Sequence, residues 1–158
     1  MSEASEKAFA LFTAAIGETE GTGEWFEVTQ EDINTFADVT RDHQFIHVDP
    51  DACATMSPWG VPIAHGFLTL SMLTHLSASI PMDPSRLEGI AMGVNYGFDK
   101  VRFVNPVKVG SRIRATSVIG AAELKGDQVQ VTRNMTVEIE GQEKPALVAD
   151  WLTRLVYG

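Results

Sequence analysis

The chain reads as an α+β protein in which a curved antiparallel sheet wraps one long helix, and three observations carry that reading. Apolar residues recur at helical spacing before residue 90 and alternate from Ile90 onward. Glycines at Gly120, Gly126 and Gly141 punctuate the alternating part, which predicts turns of an antiparallel meander. The run "HGFLTLSMLTHLSAS" sets Phe67, Leu68, Leu70, Met72, Leu73 and Leu76 around nearly the whole circumference of a helix, so burial on most sides is expected. No internal repeat, low-complexity tract or composition shift divides the sequence, and a single domain over 1–158 is predicted.

In chain order, residues 4–16 form an amphipathic helix ended by Gly17, and "EWFEV" a brief strand. Thr29 is the predicted N-cap of a helix over "QEDINTFADVT", whose first turn is acidic, as the helix dipole favours. That helix leads into Asp42–His47, where Phe45, Ile46, Val48 and Pro50 favour an extended or looped path. Asp49 caps a short helix with Pro50 in its first turn, running to about Met56. After the central helix, "IPMDPSRLEG" supplies the breakers. Alternation then marks strands in "SRIRATSVIG", "QVQVTRNMTVEIE" and "ALVADWLTRLVY", each with one wet face.

Composition narrows the function. A 44% hydrophobic content argues against disorder, and a net charge of −9 repels phosphate backbones, so no nucleic acid is expected as partner. No apolar run reaches membrane-spanning length. The N-terminus lacks the basic and apolar regions of a secretory signal, and the one cysteine, Cys53, has no disulfide partner; a cytoplasmic location is expected. Cys53, between two alanines, reads as a packed small residue.

The segment "DHQFIHVD" concentrates titratable groups. His43 and His47 are four apart, a metal-like spacing, but the segment does not read as a continuous helix and no metal is expected. No serine lies in the context a Ser-His-Asp set needs. Asp42 and His47, five apart on a short loop, can converge on one water and move its proton. The same spacing equally suits a capping aspartate beside a satisfied core histidine.

The wider pattern resembles the MaoC-like hydratase family: Asp42, four residues, His47, then Asp49-Pro50, and later Ile63-Ala64-His65-Gly66 ahead of an apolar helix. "GVNYGFDKVRFVNPVKVGSRIR" extends the likeness, which covers most of 30–115, and "DHQ-aromatic-IH" points to the sub-group of nodulation protein N-like hydratases. Arg41 stands where the family usually has glycine, and Gln44-Phe45 where it has Asn-Pro.

The resemblance implies the hotdog fold and (R)-specific hydration of trans-2-enoyl thioesters, or the reverse dehydration, with Asp42 and His47 catalytic. It implies no cofactor beyond the CoA or acyl carrier thioester of the substrate. Gly66 would give its N–H to the thioester oxygen, His65 would orient the loop, and Ser71, Thr74, Asn95 and Tyr96 are candidates for the substrate pocket. Lys100, Arg102, Lys108, Arg112 and Arg114 would either meet CoA phosphates or form a solvated strand face. An unpaired sheet edge predicts a homodimer. A thioesterase on the same fold and a non-catalytic acyl-CoA-binding or scaffold subunit are the alternatives.

Overall fold

The structure is a computed structural model and describes residues 2–158. Its elements are α1 (Glu3–Ala14), β1 (Thr19–Thr22), β2 (Phe26–Glu27), α2 (Gln30–Thr40), α3 (Phe45–Val48), α4 (Pro50–Met56), α5 (Gly66–Ser71), α6 (Leu73–Ala78), a 3-10 turn (Pro84–Arg86), β3 (Ile90–Phe103), β4 (Arg112–Lys125), β5 (Gln128–Ile139) and β6 (Leu147–Tyr157). The strands form one antiparallel sheet in the order β1-β4-β5-β6-β3, with β2 also on β4. No helix among the described residues is long and apolar enough to cross a membrane.

Several local predictions hold for stated reasons. Thr29 caps α2 through a full capping box with Asp32, and Asp49 caps α4 with Pro50 in the first turn. Cys53 is fully buried and its thiol is pushed up by that burial, as befits a packing residue.

Four expectations need correction. Residues Phe45–Val48 are one helical turn rather than an extended path, because Asp49 N–H closes back on Phe45 O and stops the turn there. Gly120 lies inside β4, at a bulge opposite β5, and makes no turn; a Cβ there would sit 2.6 Å from Asn134 Oδ1, so glycine serves close cross-strand approach. The central helix is divided at Met72 into α5 and α6, although Met72 N–H bonds Leu68 O and Leu76 N–H bonds Met72 O, so the axis carries on. It is also covered on one side only. Leu68, Leu73 and Leu76 are buried while Phe67, Ser71, Thr74 and His75 are exposed. Strand β1 was not legible, since "TEGT" has no apolar alternation.

The core has two parts. Leu73 and Leu76 of α6 pack with Ala115, Met135, Val137 and Trp151 of the sheet. Phe12 of α1 packs with Ile119, Val129, Val131 and Leu155. Between them the inward face turns polar, with Ser117 on β4, Arg133 on β5 and Thr153 on β6.

Candidate active site

The site is assembled where α2 hands the chain to the start of α5. Arg41, the C-cap of α2, has φ 67. A side chain in this left-handed conformation costs about 1–2 kcal/mol, which gives the glycine usual in the family its reason. The reversal sets Asp42 beside the N-terminus of α5.

Two histidines complete the group. His47, on α3, is buried, and its Nδ1 lies 2.7 Å from the Ile63 carbonyl. A carbonyl only accepts, so Nδ1 carries the proton and Nε2 presents a lone pair. Burial holds the His47 imidazole below its usual range; His65 adds to this, while the Ile63 bond and Asp42 oppose it. His65, also buried, stacks on His47 with ring centroids 3.8 Å apart and an interplanar angle of 25°. Its Nε2 donates to the Asp42 carbonyl at 3.0 Å and stands 4.0 Å from Asp42 Oδ2. Its Nδ1 is buried without a protein partner. Phe36 of α2 packs its ring at 5.0 Å from His65.

One polar atom each of Asp42, His47 and His65 lies within 4.8 Å of the other two, a spacing that would also admit a metal ion. The ring geometry opposes shared ligation. An imidazole lone pair lies in the ring plane, so two rings stacked 25° from parallel aim their lone pairs side by side rather than at one point. His43, the other half of the metal-like spacing, is exposed and bonds Asp38 at 2.8 Å instead.

Gly66 is the first residue of α5, so its N–H has no intrahelical acceptor. A Cβ at Gly66 would stand 3.0–3.1 Å from the Phe103 ring, and a cleft of about 230 Å³ opens beside it, lined by Ile63, Thr69 and Asn105 among others. A larger cavity, about 420 Å³, lies between α6 and the sheet.

The structure sorts the remaining sequence candidates. Thr74 and Asn95 both line the larger cavity, with Thr74 eight residues along the helix axis from Gly66, or about 12 Å. Ser71 is exposed and donates to Phe67 O, and Tyr96 is exposed with the Arg154 guanidinium 3.6 Å from its ring; neither lines a cavity with them. Of the basic residues, Arg112 and Arg114 pair with Glu140 and Glu138 and flank Trp25, and Lys100 pairs with Asp150, which fits a solvated strand face. Sequence reasoning missed Glu20, Ser117, Arg133 and Thr153 in the cavity wall. A signal existed: Arg133 sits at an inward position between Val131 and Met135.

A curved antiparallel sheet around a helix defines a hotdog protein, and the Asp and two His gathered at that helix's N-terminus suit the acid–base chemistry of a hydro-lyase. The chain belongs to the MaoC-like domain family, whose model matches residues 11–141. It is 46% identical to 3-hydroxyacyl-thioester dehydratase Z of Mycobacterium tuberculosis (strain CDC 1551 / Oshkosh), over 95% of this chain and 97% of that protein. It is likewise 46% identical to nodulation protein N of Rhizobium leguminosarum bv. viciae, over 94% of this chain and 91% of that one. Among solved structures, the monoamine oxidase regulatory protein from Archaeoglobus fulgius superposes with a TM-score of 0.74 at 26% identity, covering 90% of this chain and 91% of that one.

Proposed function

We propose that the protein is an (R)-specific hydratase of trans-2-enoyl thioesters, or a dehydratase of the corresponding (R)-3-hydroxyacyl thioesters, with no cofactor beyond the substrate's own thioester carrier. The observation that carries this is the convergence of Asp42 and His47 at the N-terminus of α5, with His47 held in the tautomer that exposes Nε2.

In the hydration direction, a water lies between the Asp42 carboxylate and His47 Nε2. Nε2 takes one proton as the oxygen bonds to the β-carbon, and the π electrons move to the thioester oxygen as an enolate. The Gly66 N–H and the helix dipole stabilise that negative charge. Collapse of the enolate takes the proton from Nε2 to the α-carbon, so water is added and His47 returns to its starting form. Asp42 accepts the second O–H of the water and stabilises the transient imidazolium. His65 acts indirectly, holding the Asp42 backbone through Nε2 and the His47 ring by stacking. The acyl group extends into the larger cavity past Thr74 and Asn95.

The same reading includes a homodimer. Strand β3 ends the sheet order, and Met92, Val94, Tyr96 and Phe103 on it are all exposed, as is Phe67 on α5. An unpaired edge carrying this much apolar surface is a pairing surface, and β3 of a second copy continues the sheet with the sites near the junction. Light scattering is expected to read twice the 17.2 kDa chain mass at micromolar concentration. A fully active monomer overturns this arrangement.

The direct test of activity is a spectrophotometric hydration assay over a series of enoyl-CoA chain lengths, followed by chiral analysis of the product. Turnover to the (R)-alcohol is expected. Thioester cleavage without hydration would instead identify a thioesterase, and tight binding without turnover a non-catalytic subunit.

A further inference from the structure

The geometry points to a recognition site, at the far end of the larger cavity, for a neutral oxygen function (hydroxyl or oxo) on the distal part of the substrate's acyl group. This rests on the hydratase reading above and names its substrate class more closely. The cavity runs across the sheet from β3 toward β1. Most of its wall is what an alkyl chain needs, including Ile80, Leu87, Ile90, Val94 and Leu155. At the β1–β4–β5 end it is lined instead by Glu20, Ser117 and Arg133, with Thr153 of β6 beside them.

These polar groups form one network. Arg133 Nε donates to Glu20 Oε2 at 2.8 Å, Nη1 to Thr153 Oγ1 at 3.0 Å, and Nη2 to Glu20 Oε1 at 3.5 Å. Ser117 Oγ donates to Glu20 Oε2 at 2.6 Å. The Arg133 and Glu20 side chains are only 10% and 3% exposed. Burying such a pair carries a large desolvation cost for each ion, and apolar residues of similar volume are often at least as stabilising. Apolar clusters do flank this layer on both sides, so the fold had an apolar option here.

The donors left over define the ligand. Nη1 spends one N–H on Thr153 and keeps a second, and the Thr153 hydroxyl, having accepted, still has its proton to give. The other Nη2 contact is a weak one to the Met82 thioether at 3.9 Å, on a half-exposed and flexible side chain that a ligand can displace. Glu20 already balances Arg133, and Arg86 behind it, 3.9 Å from Glu20 Oε1, is faced by Asp83 and Glu18. Two spare donors in a setting where three carboxylates already face the two guanidiniums suit an acceptor oxygen without a net charge. A methyl end placed there would strip water from both donors and return nothing.

The experiment compares trans-2-enoyl-CoA substrates of one chain length, ended by methyl, hydroxyl or carboxyl, by kcat/KM. It also compares the affinities of their saturated analogues by calorimetry, which needs no turnover. The hydroxyl-ended substrate is expected to be preferred over the methyl-ended one by about tenfold, the worth of one good hydrogen bond. That preference should be lost in the double variant Glu20→Leu, Arg133→Leu; if that variant does not fold, Thr153→Val should reduce it severalfold. Methyl preferred in the native protein, carboxyl preferred over hydroxyl, or an unchanged ratio in a folded variant overturns the inference. Hydration without the preference defeats this inference alone, whereas the preference in binding without hydration defeats the hydratase reading alone.

Discussion

The two ends of the α5–α6 axis are built in opposite ways. At the N-terminal end, Asp42, His47, His65 and Gly66 come from one stretch of 25 residues, and backbone carbonyls of that same stretch, Ile63 and Asp42, fix the histidine tautomers. At the other end the cavity wall is gathered from β1, β3, β4, β5, β6 and α6. On the proposed function, the difference separates chemistry from selection. Reacting groups need fixed mutual geometry, which a short local segment supplies, whereas a binding wall can vary strand by strand without disturbing them.

The largest effects are expected at the N-terminal end. Asp42→Asn and His47→Gln preserve size and some hydrogen bonding but remove proton-transfer capacity, so each should fold normally and lose most of kcat, on the order of 10²–10⁴-fold. If both serve one water, as proposed, the double variant should be scarcely worse than the poorer single, whereas independent contributions would multiply. Melting temperature and kcat measured on the same four proteins decide this. A folded Asp42→Asn enzyme with undiminished kcat would end the mechanism.

Gly66→Val comes next. The new side chain must displace the Phe103 ring, which is half-exposed on the sheet edge and can yield, so the fold should persist. Substrate approach to the N–H is then blocked, and losing such a donor costs about 10²–10³ in rate. Near-native turnover in the folded variant would remove Gly66 from the site and make it a turn residue only.

How much was legible follows the same division. Both helix caps and three of the four long strands could be read because each is local, a cap beside its helix or an alternating run, whereas β3 and the proposed pair Asp42 and His47 came with the family likeness. The uncovered face of α5–α6 could not be read, since Phe67 and Leu68 are both apolar and tertiary packing, not local pattern, decides which is buried. Ser71 and Thr74 illustrate the limit from the other side. Both hydroxyls bond helix carbonyls, at Phe67 and Ser71, yet only Thr74 lines the cavity. Arg133 was within reach of strand parity, but its partner Glu20 lies on a strand with no pattern, so the network was invisible.

The smallest effect separates the two ends by pH. His47 is buried at the N-terminal end, stacked on the equally buried His65, and its folded-state value is lowered, chiefly by burial. The acid limb of kcat/KM, which reports the free enzyme, should therefore fall below the ordinary imidazole value near 6.5, leaving Nε2 a competent base in mildly acidic solution. The same shift has a stability sign. Between the lowered folded value and about 6.5 the unfolded chain binds the proton and the folded one does not, so stability rises with pH across that window and is lost as pH falls through it. His47→Gln should flatten that slope, while Thr153→Val at the other end should leave it as it is. Melting temperatures across the window check both, and a slope unchanged by His47→Gln would show that burial of this histidine is not what sets it.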